Sequence, residues 1–168
     1  MIAIGEEPWK RALPEIMTLH VAHHAELADE ADRRRMPLDM DWPAYQALDD
    51  QGKLLLITAR EPASNGHGAV LVGYVIAFVM THMHYRGILC CFEDLYWLAP
   101  AYREPGQDSL SQIGSTGAQM FLELEAAARK RGVKKIFADT KLWQDNTPLF
   151  EMIGYKEVAR QHTRWLGA

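Results

Sequence analysis

Two neighbouring carboxylates, a run of small residues and two groups of histidines are the parts of this chain that could do chemistry. In "FEDLYWL", Glu93 and Asp94 sit in an apolar, aromatic run that reads as a strand, so their side chains point to opposite faces. Only one of them can face a cleft; a carboxylate there either works or is paired with a basic residue. In "QIGSTGA", residues 112–118, small side chains at Gly114, Ser115, Gly117 and Ala118 stand where a loop gives way to a helix. Consecutive N–H groups at such a start point toward an anion, and a diphosphate could approach the main chain closely. The stretch has neither the Lys of a P-loop nor the G-x-G-x-x-G spacing of dinucleotide folds, and a tightly packed helix start is the other reading. His20, His23 and His24, at i, i+3 and i+4, and His82 and His84 in "THMHY" could ligate a divalent metal if the two segments met. No carboxylate or Cys motif accompanies them, so no metal site is assigned, and packing or surface positions are the alternative.

The elements that must position these residues follow from periodicity. Leu13, Ile16, Met17, Leu19, Val21 and Leu27 recur at three- and four-residue spacing, which predicts an amphipathic helix over residues 9–32. A short helix over "WPAYQALDDQ" follows, with Pro43 in its first turn and Gly52 as its stop. "KLLLITAR", "AVLVGYVIAFVMTHMHY" and "ILCCFEDLYWLAP" read as three antiparallel strands, the last ended by Pro100. A helix from about Gln112 to Arg131 is capped by Gly132. "KKIFADT" is a strand, "NTPLFEMIG" a short helix, and "YKEVARQHTRWLG" closes the chain as one or two strands. The order predicts an α/β protein of the α+β type, a mixed, mostly antiparallel central sheet flanked by helices.

With 168 residues, 48% of them apolar, the chain can bury one good core, and a single domain over residues 1–168 is expected. A net charge of -4 lacks the basic excess of a nucleic-acid binder; Arg33, Arg34 and Arg35 are the one basic cluster, at the end of the first helix or against a phosphate. Cys90 and Cys91 point to opposite faces of a strand, which excludes a bond between them and suits core thiols in a reducing compartment. The start lacks a basic n-region with an apolar h-region, and no apolar run reaches about 18 residues. A soluble, cytoplasmic protein without membrane or nucleic-acid partners is expected.

The succession "FEDLYWLAPAYR", a glycine-bearing helix start, "RKRGVKKI" and "DNTPLFEMIGYKEV" resembles the GNAT superfamily of acyl-CoA-dependent N-acyltransferases. The resemblance covers roughly residues 53–166, the sheet and coenzyme-binding core, and residues 1–52 fit as the family's variable N-terminal helices. It implies the acyl-CoA N-acyltransferase (GNAT) fold and acetyl-CoA as cosubstrate. Gln112 matches the Gln/Arg that opens the pyrophosphate turn, Gly117 matches its second glycine, and Ser115 departs from its first. The implied cradle is Gln112 with the amides of Ile113, Gly114, Ser115, Thr116, Gly117 and Ala118. Leu98 and Ala99 match the strand end that pairs with the pantetheine arm, and Asn146 the residue that helps hold that arm, or a helix cap. The segment from Arg103 to Gln112 is longer than in typical members, which leaves Arg103 on the phosphates or away from them.

Acetyl transfer from a thioester to an amine needs a base, an oxyanion stabiliser and an acid for the thiolate. "FEDLYWL" is similar to the segment whose Glu is general base in polyamine-type members, which implies Glu93 as the catalytic residue. Phe150 replaces the family's acidic Tyr; Tyr155, Tyr102 and Tyr85 are the candidates, or solvent protonates the thiolate. The acceptor implied is a small-molecule or peptide amine, met by the N-terminal helices and the turn after the third strand, where the histidines could recognise it. Trp42, Tyr45, Trp97 and Trp143 either cover that substrate or belong to the core. Dimerisation through sheet edges is frequent in the family, so a homodimer is one implied assembly. The alternative function is a catalytically altered GNAT-fold protein acting as a CoA-binding or protein-interaction module.

Overall fold

The computed structural model describes residues 1–27, 30–63, 68–103, 114–142, 144–164 and 166. In chain order they form β1 (Ala3–Glu6), α1 (Trp9–Leu27), α2 (Glu30–Arg35), α3 (Trp42–Asp50), β2 (Leu54–Pro62), β3 (Ala69–Thr81), β4 (Leu89–Leu98), α4 (Thr116–Lys130), β5 (Lys135–Phe137) and α5 (Thr147–Met152). The five strands make one sheet in sequence order. β1 to β4 are an antiparallel meander, and β5 joins β4 in parallel after the crossover through α4. Parallel pairing demands such a crossover, because a tight turn can only reverse the chain.

Both faces of the sheet are covered, which is why β2 and β3 read as near-continuous apolar runs rather than alternating ones. On one face Leu55, Ile57, Val75 and Cys91 pack against Met120, Phe121 and Leu124 of α4. On the other, Leu54, Leu56, Tyr74, Ile76 and Trp97 pack against Trp9, Ala12 and Ile16 of α1, with Trp42 and Tyr45 of α3 at the margin. Burying each large side chain stabilises by about 1.5–3 kcal/mol, so the two layers hold the sheet from both sides. Among the described residues no helix is long and apolar enough to cross a membrane.

Several elements differ from the sequence reading. β1 was not expected: its four residues carry little signal, and the start of α1 is held down from elsewhere, by Arg60 of β2, which bonds Glu7 at 2.8 Å and Glu15 at 2.9 Å. The expected first helix is described as Trp9–Leu27 and Glu30–Arg35, and residues 28 and 29 between them lie outside the described residues. α4 starts at Thr116, not Gln112, because Ser115 is its cap; Gln112 and Ile113 lie outside the described residues. The closing strands are absent among the described residues of 155–166, which are mostly exposed and carry no regular secondary structure. β5 offers only a three-residue edge for them to pair with.

A polar group is sealed inside the α1 layer. His23 is 1% and His20 4% exposed, and Tyr74 is fully buried. The Tyr74 hydroxyl lies 2.7 Å from His23 Nδ1 and 3.1 Å from His20 Nδ1, so it donates to one ring nitrogen and accepts from the other. Burial first, then the neighbouring His20, drives the His23 imidazole down to about 3. These are packing histidines. Among the described residues no three His, Cys, Asp or Glu side chains are grouped to hold a metal.

Candidate active site

The site begins with a slip in the β3–β4 ladder. Glu93 stands opposite Ala77 and Leu95 opposite Ile76, so Asp94 is the unpaired residue of a β-bulge. The extra residue exchanges the faces of everything after it. Leu89 and Cys91 before the bulge, and Tyr96 and Leu98 after it, all face α4, while Leu95 and Trp97 face α1. Glu93 and Asp94 do point to opposite faces. Asp94 accepts a hydrogen bond from the Tyr45 hydroxyl at 2.6 Å on the α3 side.

Glu93 occupies the place where the sheet opens. β4 and β5 pair only from Cys90 to Phe92, and beyond that the Asp139 amide donates to Glu93 Oε2 at 3.0 Å instead of to a strand. Burial raises the Glu93 carboxyl to about 7, helped by the charges of Asp139 and Asp94 and opposed by the Asp139 amide and Lys141. A carboxyl that titrates near neutrality can take and release a proton under working conditions, as a general base must. No basic side chain is hydrogen-bonded or ion-paired to it among the described residues.

Farther along β4, on the face that Glu93 shares with Tyr96 and Leu98, lies a cavity of about 250 Å³, lined by Tyr96, Leu98, Arg103, Ser115, Gly117, Gln144, Asn146 and Leu149 among others. Its floor is the start of α4. The Ser115 hydroxyl accepts from the Ala118 amide at 3.2 Å, so the departure from glycine at this position supplies a helix cap. Among the described residues no acceptor meets the amides of Thr116 and Gly117, which leaves two donors and the positive end of a 15-residue helix at the cavity. A Cβ on Gly117 would lie 2.5 Å from Tyr96 Oη and 3.1 Å from Leu149 Cδ1, so any larger residue there must push the Tyr96 hydroxyl aside.

The other expected residues are distributed unevenly. Gly114 is exposed in the turn before α4. The Leu98 carbonyl accepts from Arg103 Nε at 2.6 Å, and the Ala99 amide donates to the Val72 carbonyl at 2.8 Å. Asn146 lines the cavity, its side chain makes no capping bond, and its amide donates to Thr140 Oγ1 at 2.6 Å. Arg103 also grips Glu26 of α1 with both terminal nitrogens, one at 2.8 Å, and Glu26 accepts from Trp97 Nε1 at 3.1 Å. Its guanidinium thus ties α1 to the end of β4.

The tyrosine candidates separate clearly. Tyr155 Oη is enclosed without a partner among the described residues, Tyr102 donates to Glu61, and Tyr85 packs tilted against His82, 4.8 Å between centroids, in the β3–β4 turn. Phe150 is buried against Phe121. His82 also stacks on Phe92 and Phe137, away from His20 and His23. Trp42, Tyr45 and Trp97 belong to the α1 layer, and Trp143 lies outside the described residues. Sequence reasoning missed Tyr96, Gln144 and Leu149; which way Tyr96 faces depends on the bulge, for which the strand carries no local signal.

The arrangement of the sheet and its flanking helices is shared with solved acetyltransferases. The chain is similar over 99% of its length to a glucosamine-6-phosphate N-acetyltransferase from Arabidopsis thaliana, with 11% identity, 99% of that chain covered and a TM-score of 0.66. It is similar over 99% to a ribosomal-protein-alanine N-acetyltransferase from Brucella melitensis biovar Abortus 2308, with 17% identity, 100% of that chain covered and a TM-score of 0.63. The chain has the GNAT fold. A transcriptional regulator from Bacillus halodurans C-125 shares it, at 22% identity over 97% of this chain and 100% of that one, with a TM-score of 0.64. At these identities the likeness is one of fold. No protein-family model matches the sequence, and no curated protein does. Of the expected cradle, Ser115 and Gly117 line the cavity with Tyr96 and Leu98 of β4, and Glu93 faces the same side of that strand.

Proposed function

We propose that the protein is a single-domain, cytoplasmic GNAT N-acetyltransferase that moves an acetyl group from acetyl-CoA to a primary amine by direct attack. The observation that carries this reading is the place of Glu93, in the opening between β4 and β5 with the Asp139 amide on its carboxylate, on the same face of β4 as the cavity at the α4 start, where burial raises its carboxyl to about 7. The residues suit the coenzyme. The free amides of Thr116 and Gly117 and the helix end favour a pyrophosphate, with Gln112 through Ala118 as the cradle and Leu98, Ala99 and Asn146 beside the arm. Bound there, acetyl-CoA supplies an activated acetyl group: the amine lone pair forms the C–N bond as the C–S bond breaks, its electron pair leaving on sulfur. Glu93 takes the proton that frees the amine lone pair, and backbone amides polarise the carbonyl.

The acceptor is a small-molecule or peptide amine; two fold neighbours, the glucosamine-6-phosphate and the ribosomal-protein-alanine N-acetyltransferases, are named for one of each kind. Calorimetry tests the reading, with acetyl-CoA and free CoA titrated into the intact protein and a Gly117→Trp variant. Micromolar binding to the intact protein and its loss in the variant, whose indole would collide with Tyr96 and Leu149, are expected. No binding to the intact protein refutes it. The engagement of Arg103 by Glu26, and Phe150 in place of a tyrosine, favour a second reading, a CoA-binding or interaction module. Coenzyme binding with no turnover across a broad amine panel would select it.

A further inference from the structure

A departing thiolate leaves faster when a donor meets its charge as the C–S bond breaks, and the phenols named from the sequence are poorly placed to be that donor. Tyr155 is sealed, Tyr102 is bonded to Glu61, and Tyr85 is held on the β3–β4 turn. Resting on the acetyltransferase reading, we infer that the Tyr96 hydroxyl is the hydrogen-bond donor to the departing thiolate. The bulge at Asp94 turns Tyr96 onto the same face as Glu93. Its ring packs edge-on against Phe121, 5.0 Å between centroids, which fixes its direction. Its hydroxyl reaches the cavity at Gly117 and has no hydrogen-bond partner among the described residues.

Burial raises the Tyr96 phenol to about 12, with Arg103 opposing, so it keeps its proton at neutral pH and offers a donor rather than a second anion. The electron balance needs no proton transfer from it. The C–S pair leaves on sulfur, Tyr96 Oη–H donates to that sulfur and retains its proton, and the thiolate is protonated afterwards from solvent. Gly117 is then a positioning residue, because the space a Cβ would fill is the space the hydroxyl uses.

The test reads the thiol itself. Ultraviolet absorbance follows ionisation of the thiol of free CoA bound to the intact protein, to Tyr96→Phe and to Gly117→Ala. A hydrogen bond to a charged group is worth about tenfold or more, so the bound thiol should ionise about one pH unit higher in Tyr96→Phe, with CoA affinity within about threefold. The kcat for an accepted amine should fall about 10–100-fold with little change in KM for acetyl-CoA. Gly117→Ala, which displaces the hydroxyl without removing it, should move both quantities the same way. Equal thiol ionisation in all three proteins overturns the role of Tyr96 while leaving the acetyltransferase reading intact. Failure of the intact protein to bind CoA overturns that reading and this one together. Should Tyr96→Phe not fold, Gly117→Ala alone decides.

Discussion

Replacing His23 with Leu should flatten the dependence of stability on pH below neutrality. The wild-type histidine is neutral in the folded chain down to about pH 3, because burial and the neighbouring His20 oppose its charge, while in the unfolded chain it titrates near 6.5. Between those values the unfolded state binds more protons, so stability is full above 6.5 and is lost as the pH falls. Going from pH 7 to pH 5, the unfolded histidine goes from about one-quarter protonated to almost fully protonated, while the folded one stays neutral. Integrated, that is about 2 kcal/mol lost from this one side chain, and the figure hardly changes if the folded value is nearer 4. The groups facing it are His20, His24, Glu26, Arg103, Tyr74 and Trp97. His20, also shifted down by burial, adds a loss of the same sign that the variant keeps. Urea unfolding at pH 7, 6 and 5 measures the difference between the two proteins directly. His23→Leu should start lower at pH 7, having lost its bond to Tyr74, and then fall by about 2 kcal/mol less than wild type by pH 5. Parallel pH dependences would refute the placement of His23 in the sealed α1 layer.

Glu93→Gln should lower kcat about 100-fold or more at pH 7 while leaving CoA affinity unchanged. In the wild type, activity should rise with pH through about 7, as burial sets the Glu93 carboxyl, and pH–rate profiles should lose that acid limb in the variant. Arg103→Ala unpairs Glu26 from the end of β4; with both side chains about one-third exposed, thermal unfolding should report a loss of about 1 kcal/mol. Cys90 and Cys91 are buried, and burial raises the Cys91 thiol to about 12, so neither should react with a thiol reagent until urea unfolds the chain.

The middle of the chain was readable because its signals are local. β2, β3 and β4 announce themselves as β-branched and aromatic runs, and Gly52 and Gly132, at φ of 68° and 78°, stop the helices before them as their positions suggested. What escaped depends on partners far along the chain. Arg103 follows a strand-ending proline, and the sequence leaves it on the phosphates or away from them; Glu26, seventy-seven residues earlier, takes its guanidinium. Ser115 reads as a defective glycine turn, but the Ala118 amide makes it a cap. Nothing in "FEDLYWL" marks where the ladder slips, since that is set by the register of β3, and so the direction of Tyr96 could not be read from alternation.

The meander and the β4–β5 contact also differ in how they can assemble. β1 to β4 join nearest neighbours, contacts that short loop closures make accessible early. β5 reaches β4 only across the long connection that contains α4, a costlier loop to close, and pairs with it at three positions. The opening that holds Glu93 thus borders the sheet's shortest pairing, so loosening of that seam would disturb the surroundings of Glu93 while the meander stayed folded.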